Sequence, residues 1–221
     1  MEKVFTGFKK IDENLQIKRG ELVVIASRPA IGKTSFICSV IKNTAKKQKT
    51  LFFAMQLLKS KAAQNLGSLE TNSIIVNEVV DIDEVIIKTA ESKINNDVSV
   101  VFIDNFNDLV ACSKYLAKRV ILKLKEMAKR LGVAVIVTEQ LSRSEYTYST
   151  YLDMVHYDFI SLADKILTMR NLDLEYDELE LEINCIESKV TLISVDKDLT
   201  KYLNQDFRFK FDSNALEFVE I

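Results

Sequence analysis

A single proline and five glycines in 221 residues give the chain little punctuation. No Pro/Gly-rich linker, internal repeat or low-complexity tract breaks it, so 1–221 is expected to form one domain. No apolar run is long enough to cross a bilayer. The opening Met1-Glu2-Lys3-Val4-Phe5 lacks the apolar core of a secretion signal. Both absences predict a cytoplasmic protein with no membrane contact. The three cysteines, Cys38, Cys112 and Cys185, are far apart and lack metal-ligand spacing. Reduced, mostly buried thiols follow. The one histidine, His156, reads as a surface or interface residue rather than a ligand or catalyst. A basic excess is missing too: formal net charge is −2 and the pI about 5.7. Any nucleic-acid contact must then come from a local patch or from many subunits.

What is present is a core. Hydrophobic residues make up 48% of the chain and charged residues 28%, the mix of an ordinary soluble globular protein. Apolar, β-branched runs at 21–27, 49–56, 72–78, 98–104, 132–140 and 165–170 predict strands. Between them lie helical patterns at 33–47, 57–68, 81–95 (opened by Asp81 as N-cap) and 114–131. Strands buried on both faces and joined by helices predict a mostly parallel central sheet in an α/β layer fold. The last fifty residues, with "LELEINCI", "KVTLISV" and "FRFKFD", predict antiparallel strands extending one edge near the C-terminus. The acidic run at 171–182 reads as a solvated hairpin or edge that discourages sheet-to-sheet pairing.

The stretch "ELVVIASRPAIGKTSF" (21–36) carries the chemistry. Gly32-Lys33-Thr34 ends a phosphate-binding loop placed between a strand and a helix, but Ser27 stands where the usual pattern begins with glycine. A small residue can turn off the strand there at negative φ, and Pro29 stiffens the loop. Ser27, Arg28, Pro29, Ala30, Ile31, Gly32, Lys33, Thr34 and Ser35 are the expected nucleotide-binding residues. Within them Gly32 permits close backbone approach, Lys33 supplies the cation and Thr34 a hydroxyl for Mg²⁺. A carboxylate-bearing strand is expected beside the loop strand, and "VVFIDNFNDL" (100–109) supplies Asp104 as the second metal residue.

"TGFKKIDENL" (6–15), followed by "GELVVIASRPAIGKTSF" (20–36), resembles the start of the motor domain of DnaB-type replicative DNA helicases. That branch of the RecA-like ATPases writes its loop with an Arg-Pro pair, here Arg28-Pro29. "GVAVIVTEQLSRS" (132–144) is similar to the family strand ending in a glutamine that touches the γ-phosphate, which places Gln140 there; alternation points Glu139 to the opposite side. "LDMVHYDFISLADKILTMR" (152–170) aligns Ala163-Asp164 and Arg170. The resemblance implies a RecA-like P-loop NTPase fold, DNA-dependent ATP hydrolysis in replication, and translocation on single-stranded DNA. It further implies a homo-oligomeric ring, a hexamer if the chain assembles as a helicase, and contact with other replication proteins.

Departures from the family pattern are specific. The catalytic glutamate after the second strand is replaced by Gln56, which can hydrogen-bond water but cannot accept its proton at neutral pH. Glu139 and Asp108 are candidate substitutes, though neither has the position the family pattern expects. The basic finger reaching into the adjacent subunit's site aligns with Lys197-Asp198-Leu199, so only the lysine is kept; Lys201 and Arg208 are displaced alternatives. Candidate catalytic residues are thus Gln56, Gln140 and Lys197. The segments after Asp104 and Gln140, which would line a ring channel, are short. Lys114, Lys118, Arg119 and Arg143 are their cations, with no aromatic-plus-basic pattern beside them. Two readings follow: an ATP-driven helicase motor, or a nucleotide-binding, weakly hydrolysing relative acting as a regulator or adaptor. A recombinase does not fit Arg28-Pro29, and a small-molecule kinase would need a lid of clustered arginines.

Overall fold

The computed structural model describes residues 2–29, 31–54, 73–76, 80–141, 157–171, 190–198, 205–212, 215 and 217–221. Its strands are β1 Leu22–Ser27, β2 Thr50–Ala54, β3 Ser73–Val76, β4 Val100–Asp104, β5 Ala134–Gln140, β6 Lys165–Asn171, β7 Val190–Asp198, β8 Gln205–Asp212 and β9 Glu217–Glu220. The described helices are α1 Lys9–Asn14, α2 Lys33–Ala45, α3 Ile82–Asn96, α4 Phe106–Cys112, α5 Ala117–Leu131 and α6 Tyr157–Leu162. All nine strands form one sheet, ordered β3-β2-β4-β5-β1-β6-β7-β8-β9. The first six pair in parallel and the last three antiparallel. This is the mostly parallel sheet with an antiparallel extension that the alternation of elements predicts.

Burial explains why the parallel strands read as continuous apolar runs. β1, β2 and β4 are buried along their whole length. One face (Val23, Ile25, Phe102, Ile136) packs under α2 through Phe36, Ile37 and Val40. The other face (Leu22, Val24, Val101, Val135) packs on α3 and α5 through Val85, Ile121 and Leu124. A helix on each face removes both from water, the arrangement a parallel sheet requires.

Local signals fix several boundaries. Asp81 caps α3 as expected, accepting from the Asp83 and Glu84 N–H groups at 2.8 and 3.0 Å. The fifth helix starts at Ala117 rather than Lys114, because Lys114 and Tyr115 turn aside to Asp83, each at 3.2 Å. The hydrogen bond from Lys123 and these contacts hold the Asp83 carboxyl down at about 2. The strand after it starts at Ala134 rather than Gly132, which ends the helix in the left-handed region at φ 61°. Three elements are additions to the sequence reading: α1, α4 and β9, all of seven residues or fewer. The expected helix at 57–68, the strand "LELEINCI" and most of the acidic run lie outside the described residues.

The opening motif has a structural explanation. The Asp12 carboxylate accepts from Thr6 N–H (2.8 Å), Thr6 Oγ1–H (2.6 Å) and Gly7 N–H (3.1 Å). Gly7 sits at φ 82°, and a Cβ there would collide with the side chain of Asn43. Thr6, Gly7 and Asp12 therefore tie the chain's first loop against α2. Of the cysteines, Cys38 is buried, and burial pushes its thiol up to about 12. Cys112 is exposed and ends the short α4 at the surface, and Cys185 lies outside the described residues.

Candidate functional site

The loop from Arg28 to Gly32 leaves the C-terminal end of β1 and opens α2. Gly32 makes the final turn at φ 96°, a conformation costly for any side-chain-bearing residue. Behind it Lys33 is only 8% exposed. Its Nζ donates to Ser27 O (3.2 Å), Ser27 Oγ (3.0 Å) and Arg28 O (3.4 Å). Burial lowers the Lys33 pKa to about 8, while the negative charges of Asp104 and Glu139 pull it back up. Ser27 is fully buried as the last residue of β1, and its hydroxyl also donates to Arg28 O at 2.9 Å. The serine thus gives the loop lysine an acceptor that a glycine would lack. Ile31 packs on the core beside α2, and Ser35 O accepts from Ser39 Oγ at 3.0 Å. Arg28 and Pro29 are half-buried in the loop, and Ala30 lies outside the described residues.

Asp104 reaches the same place from β4. Its Oδ2 accepts from Thr34 Oγ1 at 2.7 Å, and its Oδ1 accepts from the Thr138 hydroxyl. The expectation that its strand lies beside the loop strand needs correction: β5 stands between β1 and β4. The physical reason is that Thr34 belongs to α2, which crosses the sheet face, so its hydroxyl passes over β5 to the end of β4. The Asp104–Asn105 peptide bond is cis.

Gln140 ends β5 level with Ser27 and is exposed. The Asn107 amide grips its backbone, accepting from Gln140 N–H (2.9 Å) and donating to Gln140 O (3.3 Å). Glu139 is buried and pairs in register with Ala26, on the α3/α5 side by alternation with Val135 and Val137. Asp108 is half-buried in the first turn of α4, where its N–H donates to Asn105 Oδ1 at 3.0 Å. Gln56, Arg143, His156 and Lys201 lie outside the described residues. Lys197 is level with Ile166, itself level with Val24, toward the opposite end of the sheet from Ser27. Within one chain it is not brought to the loop. Arg208 is exposed on β8, opposite Leu192.

The sequence reading missed Thr138 and Asn107. Thr138 was detectable, since it precedes Gln140 by two and shares its side of the strand. Asn107 follows Asp104 by three, but nothing local announces a partner 33 residues away.

The sites of the remaining segments are structural. Asp164 accepts from Leu22 N–H at 2.8 Å and pairs with Lys125, fixing the start of β1. Lys114 and Lys118 pair with Asp83 (3.2 Å) and Asp158 (3.7 Å), and Arg119 is exposed.

Hydroxyl, carboxylate and lysine thus converge on a strand–loop–helix turn at the C-terminal edge of a parallel sheet. The fold is of the RecA-like class, with a parallel central sheet, flanking helices and an antiparallel extension. It superposes on the structure of a DnaB-like replicative helicase, solved to describe that protein's interactions with primase. The TM-score is 0.79 at 20% identity, covering 98% of this chain and 61% of that one.

Sequence comparison narrows the class. Residues 3–77 match the family of the DnaB-like helicase C terminal domain. A "Probable replicative DNA helicase" of Trieres chinensis is 37% identical over 68 residues, 29% of this chain and 15% of the relative. "Replicative DNA helicase DnaC" of Bacillus subtilis is 24% identical over 178 residues, 62% of this chain and 39% of the relative. The chain spans well under half the length of these curated relatives. Together the family match, relatives and structural neighbour support a DnaB-type helicase C-terminal domain, the family that the loop and its upstream motif resemble.

Proposed function

We propose that 1–221 is an ATPase domain that binds ATP with Mg²⁺ and couples its hydrolysis to movement on single-stranded DNA in replication. The observation that carries the reading is the contact of Thr34 with Asp104, 2.7 Å apart beside the buried Lys33. Thr34 and Asp104 fit a magnesium ion: a hydroxyl and one carboxylate converge, and phosphate and water supply the remaining oxygens such an ion prefers. Among the described residues no group of three or more His, Cys, Asp and Glu forms a denser metal site. When bound, the ion neutralises charge on the β- and γ-phosphate oxygens.

The protein's own groups then have distinct tasks. Lys33 exchanges its bonds to Ser27 and Arg28 for phosphate oxygens, and the loop amides before Gly32 approach the same phosphates. Gln140, its backbone held by Asn107, presents a side chain toward the γ-phosphate side. Water attacks the γ-phosphorus as the bond to the ADP oxygen breaks, yielding ADP and phosphate, and Gln56 is the residue expected to orient that water. Lacking a proton acceptor there, turnover is slow. Lys197 serves a neighbouring subunit in a homo-oligomeric ring, and Arg119 with its neighbours gives weak, salt-sensitive DNA contact. Among the described residues no helix is long and apolar enough to cross a membrane.

Gln56 itself favours a second reading, a nucleotide-dependent regulator or adaptor of a helicase. DNA-stimulated ATPase assays on wild type and Gln56→Glu separate the two. A rise of about 10²-fold or more in Gln56→Glu is expected if the rest of the site is complete. An unchanged rate favours the regulator. No calorimetric heat from ATP with magnesium on wild type overturns both.

A further inference from the structure

The antiparallel extension does not end far from the phosphate loop. Although β9 stands four places from β1 in the sheet, it folds back onto α2. Three contacts fasten it to α2. The Phe218 N–H donates to Ser39 Oγ at 3.0 Å, and the same hydroxyl donates to Ser35 O in the first turn of α2. Lys42 pairs with Glu217 at 2.8 Å. The Phe218 ring meets the edge of Phe36 with centroids 5.6 Å apart at 82°. The Phe211 ring stands 5.1 Å from that of Phe218, tilted at 56°. From α1, Lys10 N–H donates to Glu220 and Lys10 Nζ to Ile221 O at 2.7 Å.

The consequence lies at Gly32. A Cβ built there would sit 3.4 Å from Cζ and 3.8 Å from Cε2 of Phe218. The ring therefore faces Gly32, whose backbone is left-handed, across a gap that would hold a single methyl group. Phe218 is 5% exposed, whereas its strand neighbour Val219 is 50% exposed, so alternation aims the aromatic inward and leaves the aliphatic out. A glycine has the widest conformational choice of any residue, and a rigid aromatic wall beside it narrows that choice without a covalent restraint.

We infer that Phe218 is a positioning residue for the phosphate loop: facing Gly32 across a methyl-sized gap, stacked edge-on to Phe36 and anchored through Ser39, it limits how far the loop can move from its phosphate-accepting shape. The inference rests on the loop's being the ATP site, and it adds a determinant of phosphate affinity from a strand about 180 residues away. Phe218 touches no substrate. Its effect passes through Gly32 and the Ser35 carbonyl.

Titration calorimetry with two probes, ATP·Mg²⁺ and inorganic pyrophosphate with Mg²⁺, tests it on wild type, Phe218→Ala, Phe218→Leu, Ser39→Ala and Val219→Ala. Each variant is held well below its own melting temperature. Phe218→Ala is expected to lose about tenfold or more in affinity for both probes, since small displacements of positioned groups are costly. Phe218→Leu regains most of it by refilling the space, Ser39→Ala loses less, and Val219→Ala binds as wild type. A purely structural role lowers the melting temperature of Phe218→Ala but leaves the affinity of the folded protein unchanged, and that result overturns the inference alone. Should Phe218→Ala fail to fold, wild-type affinity in Ser39→Ala overturns it equally. A wild-type chain that binds neither probe removes the ATP site and this inference with it.

Discussion

Two lysines are buried at opposite ends of the same parallel sheet, and their surroundings differ in kind. Lys165, at the start of β6, is 1% exposed and sits 3.4 Å from Glu21 Oε1, a carboxylate that also accepts from Lys18 N–H. Lys33, past the end of β1, donates to a hydroxyl and two carbonyls of its own loop. Burial lowers the Lys33 pKa to about 8, and the carbonyl dipoles offset only part of the desolvation cost of its ammonium group. A carboxylate-paired lysine staples a fold. One held by dipoles of a loop can change partners when a more negative group arrives, which is what binding a phosphate demands.

The largest effects should separate these roles. Lys33→Ala is expected to reduce ATP·Mg²⁺ affinity by about 100-fold or more, as loss of one member of a desolvated charge pair does, with little change in melting. Lys165→Ala should do the reverse, costing about 3 kcal/mol in denaturant unfolding because Glu21 loses its partner, while folded protein binds ATP normally. Equal losses of affinity in both variants would erase the distinction between the two ends.

Next in size is the carboxylate. Asp104→Asn keeps an acceptor for Thr34 or Thr138 but removes the charge. Affinity for ATP with magnesium should fall by about 10- to 100-fold, while the much weaker binding measured in chelator stays the same. A loss of equal size with and without magnesium would make Asp104 a brace for α2 and nothing more.

The pH dependence sharpens the comparison further. Folding lowers the Lys33 pKa from its ordinary 10.5 to about 8, so between those values the unfolded chain binds more protons and stability of the nucleotide-free protein rises with pH. Nucleotide affinity must run the other way, because triphosphate favours the charged lysine. From about pH 8 upward affinity should fall by up to about tenfold per unit, with one proton taken up on binding. Calorimetry in buffers of different ionisation enthalpy measures that proton directly. Affinity flat to about pH 10 would show that Lys33 stays charged without phosphate.

The alternation of elements foretold the architecture but not the order of the strands. Gly32, Lys33, Thr34 and Asp104 are legible as candidates because a site for phosphate and magnesium would restrict residue types at short spacing. The insertion of β5 between β1 and β4 is not, since parallel neighbours are chosen by contacts distant in sequence, and every candidate strand is equally apolar. Thr138 reads as one more β-branched strand residue until Asp104 is placed opposite. Phe218 lies in a strand of four residues, too short for alternation to declare itself. Gln56 is legible only through family likeness and lies outside the described residues, so its chemistry rests on assay.

The smallest expected effect concerns DNA. Lys118 is 70% exposed but pairs with Asp158 at 3.7 Å, and Lys114 is 67% exposed beside Asp83. Such pairs contribute little to stability, so either lysine can turn to a phosphate at low cost. Arg119 stands exposed one residue further along α5. With a net charge of −2, the chain as a whole repels a polyanion, and this local group offsets part of that. Binding of single-stranded DNA should therefore be weak and steeply salt-dependent. Lys118→Ala and Arg119→Ala should each lower the slope of log affinity against log salt by about one or less, without base preference. Fluorescence anisotropy at several salt concentrations reads this, and unchanged slopes in both variants would move any DNA path away from the start of α5. Nucleotide affinity should remain that of wild type in both, because neither side chain belongs to the loop at the sheet edge.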